Sequence, residues 1–472
     1  MSAAVSSVTA SWSGLLSGRN GVRSLALAGG TALHAINIYV VTTIMPSIVA
    51  DIGGLAYYAW NTTLFVIASI IGATLAARLA DRWGGRGAYL LALAVFSLGS
   101  LVCAVAPSMP WMLAGRSLQG LGGGVLVSLA YVLIRQVFEP AYWSRAMGLV
   151  SAMWGVATLS GPAIGGLFAQ AGDWRAAFWA LFPAVIVLAL VVWLWLPSTE
   201  RNAASATGIP GGRLALLALS VLAISLASLT TSRGLQALGV GLGLLLAAWI
   251  VRWDRRATDR LLPSNAYRPS RLLAIYLAMS LLVIGSTVEI FVPYFLQVIH
   301  GYSPLMAGFL TAVMAGGWSF GSVLSAGRSE SFAARAIRTG PLLMALSLAC
   351  LAWLLRQAQG FDHGAGFALM CFALVGVGLG IGMAWPHLLT ALLASAPAGE
   401  GSLASSSIST VQLYAMSVGA ALAGLIANAA GLSDPGGLEG ARHAVPWVFG
   451  SFAVLAALGL PAARRAAIAT TE

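Results

Sequence analysis

Two charged side chains lie where charge is expensive, and they set the chemistry this chain could perform. Glu289, within Val288-Glu289-Ile290-Phe291, is the only carboxylate well inside a long apolar run. A carboxyl so placed gains and loses its proton as its surroundings change, which is what a reversible proton carrier requires. It could equally recognise a cation, or be locked to an arginine or a backbone carbonyl. Arg116 opens the string Arg116-Ser117-Leu118-Gln119-Gly120-Leu121-Gly122. Its guanidinium keeps its proton, and an arginine inside a membrane helix costs about 2.5–3.5 kcal/mol on insertion scales. It must face a cavity or a polar partner, unless its long stem snorkels to a surface roughly 10 Å away. His387, directly after Pro386 in another apolar run, is a weaker candidate for acid–base work. Metal-ligand spacing, a phosphate-binding loop ending in Lys-Ser/Thr and a nucleophile elbow are all missing from the sequence. No cofactor is expected, and transport would have to draw on an ion gradient or be passive.

The elements that position these groups follow from composition. Hydrophobic residues make up 59% of the 472 positions and charged residues only 8%, against roughly a quarter charged in ordinary globular domains. So little charge cannot cover a soluble surface, so the chain reads as an all-α polytopic membrane protein, since the apolar runs are too long for barrel strands. Spans are expected near 24–46, 56–79, 87–107, 111–136, 143–170 and 175–196, then 214–232 and 235–252, then 272–298, 304–327, 339–358, 365–394, 402–430 and 444–463. That is fourteen transmembrane helices, arranged as six, two and six. The expected units are 1–197, a six-helix bundle; 198–271, an inserted helix pair with its linkers; and 272–472, a second six-helix bundle. With both termini in the cytoplasm, every arginine falls on the cytoplasmic side except Arg116, Arg175, Arg233, Arg356 and Arg442. That bias supports the even count and accounts for the basic balance without nucleic acid. Cys103, Cys350 and Cys371 lie in apolar runs and read as small core residues. The polar start, Met1 to Arg23, has no pattern of a removable signal peptide.

The chain also matches itself. Shifted by 258 positions, Gly120-Leu121-Gly122-Gly123-Gly124 falls on Gly378-Leu379-Gly380-Ile381-Gly382, and Ser144–Gln170 lies without a gap over Ser402–Asn428. The offset is too long for six helices and suits eight, which makes the middle pair an insertion between two related halves. Chance glycine matches are the alternative. Parallel repeats of this kind build transporters that rock about a site near the bilayer midplane.

Three strings carry a family resemblance. Ala77-Arg78-Leu79-Ala80-Asp81-Arg82-Trp83-Gly84-Gly85-Arg86 resembles the loop signature of the major facilitator superfamily, with Ala77 in place of its first glycine and Gly87 in place of a second basic residue. The resemblance implies that Asp81, Arg82 and Arg86 form a cytoplasmic gate; a solvated positive loop is the plainer reading. The Arg116 string resembles that family's fourth-helix motif, whose arginine takes part in proton coupling. Gly148, Ala157, Gly161-Pro162 and Gly165-Gly166 are similar to its antiporter motif, which marks exporters; a structural kink at Pro162 is the alternative. Asp173-Trp174-Arg175 and the inserted pair look like the fourteen-span drug:proton antiporter branch. That branch usually has an aspartate where Asn37 stands, and amide cannot exchange a proton; His34, one turn earlier, could substitute or could be a core histidine. In this superfamily Trp60, Trp154, Tyr294, Trp318, Trp385 and Tyr414 would lie on cavity-lining helices, with Asn37 and His387. Facing inward, the aromatics would suit amphipathic or cationic compounds.

These expectations describe a secondary transporter, not an enzyme, that exports small amphipathic organic compounds in exchange for protons. Its partners would be that substrate, protons and membrane lipid, with no nucleic acid, and it would work as a monomer in the plasma (inner) membrane. The rivals are an importer or facilitator of a sugar or metabolite, favoured by Asn37, and a non-transporting membrane sensor or scaffold.

Overall fold

The computed structural model describes residues 11–197, 211–258, 260–357 and 364–468, apart from the side chains of Arg135, Ser144 and Ser402. Arg201 and the rest of the polar stretch 198–210 lie outside the described residues, and so does one side of the boundary expected at 197/198. Within the described residues every regular element is helical. α1 (Gly18–Ile52), α2 (Trp60–Ala104), α3 (Met109–Val137), α4 (Trp143–Gln170) and α5 (Trp174–Trp195) come first. α6 (Gly211–Ala227) and α7 (Arg233–Asp254) follow. α8 (Arg271–His300), α9 (Pro304–Ser325), α10 (Glu330–Leu354), α11 (Ala365–Ala394), α12 (Gly401–Ala429) and α13 (Gly437–Leu458) complete the order. Among the described residues twelve helices are long and apolar enough to cross a membrane, and α6 is a shorter apolar helix of 17 residues.

One of the twelve is a special case. α2 has 45 residues, about 68 Å at 1.5 Å each and more than twice a hydrocarbon core of about 30 Å. It bends back at Gly84, whose φ of 73° and ψ of 162° only glycine adopts without strain. Phe65, before Gly84, and Phe96, after it, flank the same turn of α3, so α2 consists of two antiparallel limbs. The connection within the Asp81–Arg86 string is therefore a single residue, Gly84.

The internal repeat is visible in how the helices touch. A methyl placed on Gly120 or Gly124 of α3 would run into the backbone carbonyls of Phe65 and Ser69. The matched Gly378 and Gly382 of α11 meet the carbonyls of Met314 and Trp318 in the same way. Gly122 approaches Ala92 and Phe96, and its counterpart Gly380 approaches Gly340 and Met344. Phe65 with Met314, and Ser69 with Trp318, are separated by one constant offset. Small residues thus let two helices sit on either side of a third in both halves.

Between the halves the contacts are reciprocal. Gly166 of α4 packs on Leu305 of α9, and Gly424 of α12 packs on Ala59, at the start of α2. Asn428 donates to the Ala56 carbonyl at 2.8 Å, and Pro162 lies against Gly308. The halves are closed together at this end. Further along the same helices Gly148, Gly155 and Gly316 face open space, and Phe320 and Val323 are exposed, so the halves diverge toward the other end.

α6 and α7 lie across one seam between the halves. Ile67 of α2 packs with Val221 and Ile224 of α6 and with Ala421 and Leu425 of α12, while Ile70 meets Leu214, Leu217 and Ile250. Within the pair, Arg213 and Asp254 form a buried ion pair.

Candidate functional site

The polar groups that face the middle of the molecule form two sets. The first belongs to α1, α2 and α3. Arg116 is 1% exposed, so it does not snorkel. Its Nη1 donates to Gln119 Oε1 at 2.7 Å, and its guanidinium carbon sits 4.0 Å from the Phe65 ring centre. A cation over an aromatic face is worth about 2 kcal/mol when desolvated. Gln119 also accepts from Asn37 Nδ2 at 3.4 Å and donates to Ser100 Oγ at 2.8 Å. Gln119 is thus the hub of this network, although only its neighbour Arg116 stands out in the sequence. His34 stacks on the other partner, Phe65, with ring centres 5.1 Å apart, and meets Trp154 edge-on at 6.1 Å. Among the described residues, His34 Nδ1, Asn37 Oδ1, Asn61 Oδ1 and Arg116 Nε are buried without a hydrogen-bond partner.

The second set centres on Glu289. The chain around it is not α-helical: Thr287–Phe291 is a 3-10 turn between two α-helical parts of α8, and Pro293 follows it. Helix breaks at membrane depth recur at functional positions. Two ion pairs occur among the described residues, Arg175–Asp51 and Arg213–Asp254. Glu289 belongs to neither, so it is not locked to a cation. Across the seam Tyr39 of α1 lies within electrostatic reach of Glu289. Toward the closed end the neighbouring Phe291 stacks on Tyr58 at 5.0 Å, and Tyr294 meets Tyr58 edge-on at 5.4 Å. Glu289 therefore lies directly beneath an aromatic plug.

The other expected side chains divide by location. Trp154 lies beside His34, and Tyr294 is part of the plug. Trp318 and Trp385 meet edge-on at 5.6 Å and are half-buried between α9 and α11. His387 lies farther along α11, against Phe332 at 6.0 Å, near the diverging end. Two aromatics turn away from the middle. The Trp60 indole donates to Ser228 at 3.2 Å, and the Tyr414 hydroxyl bonds Ser220 at 2.9 Å. Ser220 lies in α6 and Ser228 directly after it, so in this conformation Trp60 and Tyr414 hold α6 to α2 and α12.

At the diverging end, Arg86 donates to the Trp193 carbonyl at 3.1 Å, and Arg82 lies over Trp83 at 5.8 Å. Asp81 is in neither ion pair. Pro162 is carried within an unbroken α4, beside Gly161, while Gly165 packs on Val40 and Gly166 on Leu305. The Asp173-Trp174-Arg175 turn is well anchored. Asp173 caps the helix start through Ala176, and Arg175 binds Asp51 at 2.5 Å and the Ala106 carbonyl at 3.1 Å. Asp51 and Tyr39 are site neighbours that the sequence did not single out.

The arrangement, two halves meeting around a half-polar centre, can now be set beside known proteins. The Major Facilitator Superfamily model matches residues 27–420. The chain belongs to that superfamily. It is a transporter and not an enzyme. It is 41% identical over 469 residues to a probable multidrug-efflux transporter of Mycobacterium tuberculosis, covering 98% of this chain and 97% of that one. A multidrug transporter protein of Bacillus subtilis is 26% identical over 423 residues, covering 87% and 76%. Among solved structures, a bacterial homologue of the human lysosomal transporter Spinster, inward-facing and unoccupied, matches with a TM-score of 0.66 at 17% identity, covering 95% and 97%. A peptide transporter bound to alafosfalin matches with a TM-score of 0.67 at 15% identity, covering 96% and 95%. Those two likenesses concern the fold.

Proposed function

We propose that this chain is a drug exporter of the fourteen-span branch, moving small amphipathic organic compounds out of the cell in exchange for protons by alternating access. The observation that carries the proton step is Glu289: an intramembrane carboxyl in a 3-10 break, with no ion pair among the described residues and Tyr39 of the opposite half within electrostatic reach. Kinship with a probable multidrug-efflux transporter over nearly the whole chain supports the substrate class. Splitting α2 at Gly84 and counting α6 supports fourteen crossings, grouped as 1–197, 198–271 and 272–472. The arginine-rich ends support a plasma (inner) membrane orientation with both termini in the cytoplasm. The diverging end is then cytoplasmic, and the conformation faces inward. Asp81, Arg82 and Arg86 stand at that end as latch groups released in this state. Arg116 and its network form the binding half, with His34 as second proton site. A monomer has a complete pathway of its own.

The test is proton release from purified protein on addition of each compound in a drug panel. Release from the natural chain and its loss in Glu289→Gln, with drug binding retained, is the expected result. Unchanged release in that variant removes Glu289 from the mechanism. One observation favours a second reading, a proton-independent facilitator: Asn37 is an amide held by Gln119 and exchanges no proton. Drug flux in vesicles that ignores an imposed pH gradient would select it.

A further inference from the structure

Outside the transport pathway, positive charge collects where α7 ends. Arg252, Arg255 and Arg256 surround a cavity of about 440 Å³, with Val251 and Tyr267 in its wall. Arg255, Arg260 and Arg268 surround a second of about 170 Å³, enough for roughly five waters at about 30 Å³ each. The two cavities share Arg255 and Tyr267 and so adjoin. The guanidinium groups of Arg252, Arg255, Arg256 and Arg268 make no hydrogen bond or ion pair among the described residues.

The nearby acids are already engaged. Asp254 is 2% exposed and takes up Arg213, the Tyr267 hydroxyl and the backbone N–H groups of Leu261 and Leu262. Burial and that carboxylate push the Tyr267 phenol well above its ordinary range, so it remains a donor fixed to Asp254. Glu400 accepts from the backbone and hydroxyl of Ser264 at 2.7 and 3.1 Å. Asp259 lies outside the described residues. Among the described residues the cavities therefore present arginine without a local counter-ion. They also adjoin an apolar face, since Leu244, Leu245, Trp249, Val251 and Trp253 of α7 are all exposed. Tryptophans at a helix end mark the headgroup level, and basic clusters at that level bind anionic headgroups. Guanidinium forks match phosphate oxygens.

We infer that the two cavities form a phosphate site for a bis-phosphate anion, one phosphate in each with Arg255 between them, and that its source is a membrane phospholipid carrying two phosphates. The inference is independent of proton coupling. The test is native mass spectrometry of the full chain titrated in separate arms with diphosphatidylglycerol, phosphatidylglycerol, phosphatidylcholine and free pyrophosphate. Diphosphatidylglycerol should bind most tightly. Each arginine removed should weaken it about fivefold, so Arg255→Gln/Arg268→Gln should lose roughly 25-fold and Arg256→Gln alone roughly fivefold. Arg328→Gln/Arg335→Gln, on another basic connection, should bind as the natural chain does. Equal binding in the natural chain and both cavity variants overturns the site. Equal losses in the Arg328/Arg335 control overturn it too, because general charge then explains binding. Pyrophosphate binding as tightly as the lipid overturns the lipid source.

Discussion

Gln119 decides more about the first polar set than its charge-free side chain would imply. It accepts from Arg116 and Asn37 and donates to Ser100; Ser100 keeps the Phe96 carbonyl, so replacing Gln119 strands Arg116 Nη1 and Asn37 Nδ2 together. Each buried polar group left unpaired costs about 1–3 kcal/mol. Gln119→Leu should therefore lower the thermal midpoint in detergent by more than Asn37→Leu, and a smaller shift would deny Gln119 its central place. Arg116→Lys keeps the charge but loses the planar fork and the flat face that rests on Phe65. We expect about a tenfold fall in drug-evoked proton release with folding preserved; full release would mean that charge alone suffices. Glu289 and Arg116 were legible in the sequence because each is a charge within an apolar run. Gln119 carries none, yet its position one turn after Arg116 was a usable signal. Tyr39, Asp51 and the open acceptor of Asn61 acquire meaning only from helices distant in sequence.

At the scale of elements, hydropathy placed the helices and left their facing directions open. The spans near 111–136, 143–170 and 365–394 lie close to α3, α4 and α11. The 3-10 turn at Thr287–Phe291 was not visible, because its apolar residues suit an α-helix equally well and Pro293 stands after the break. Trp60 and Tyr414 turn toward α6 because Ser228 and Ser220 offer hydrogen-bond partners there, a choice no periodicity reveals. The inserted pair itself is pinned by Arg213–Asp254, with side-chain exposures of 5% and 2%. Breaking such a pair from one side leaves an uncompensated charge, at about 3–5 kcal/mol, whereas replacing both partners with apolar residues is often nearly neutral. Asp254→Leu should thus destabilise more than Arg213→Leu/Asp254→Leu does, measured by thermal unfolding in one detergent. Equal losses in the two variants would mean that Asp254 acts mainly through its bonds to Tyr267, Leu261 and Leu262.

For the whole molecule the informative feature is the reciprocity of the closed end. The 258-residue offset pairs Gly166 with Gly424, and each packs on the opposite half, at Leu305 and Ala59. Two symmetry-related latches are what rocking of similar halves requires, since one rotation must open both. A Cβ on Gly166 would lie 3.2 Å from Leu305 Cβ, and one on Gly424 2.6 Å from Ala59 Cβ. Both are closer than the roughly 3.5–4.5 Å that a disulfide spans between Cβ atoms, so a small outward shift lets either pair bridge. Gly166→Cys/Leu305→Cys and Ala59→Cys/Gly424→Cys should therefore each cross-link under mild oxidation. Either bond alone should stop drug efflux from loaded vesicles, and reductant should restore it. Chains with only one residue of either pair replaced by cysteine should keep activity through oxidation. If either cross-link forms while efflux continues, the latches do not open during the cycle, and the substrate leaves by a path other than the one between the halves.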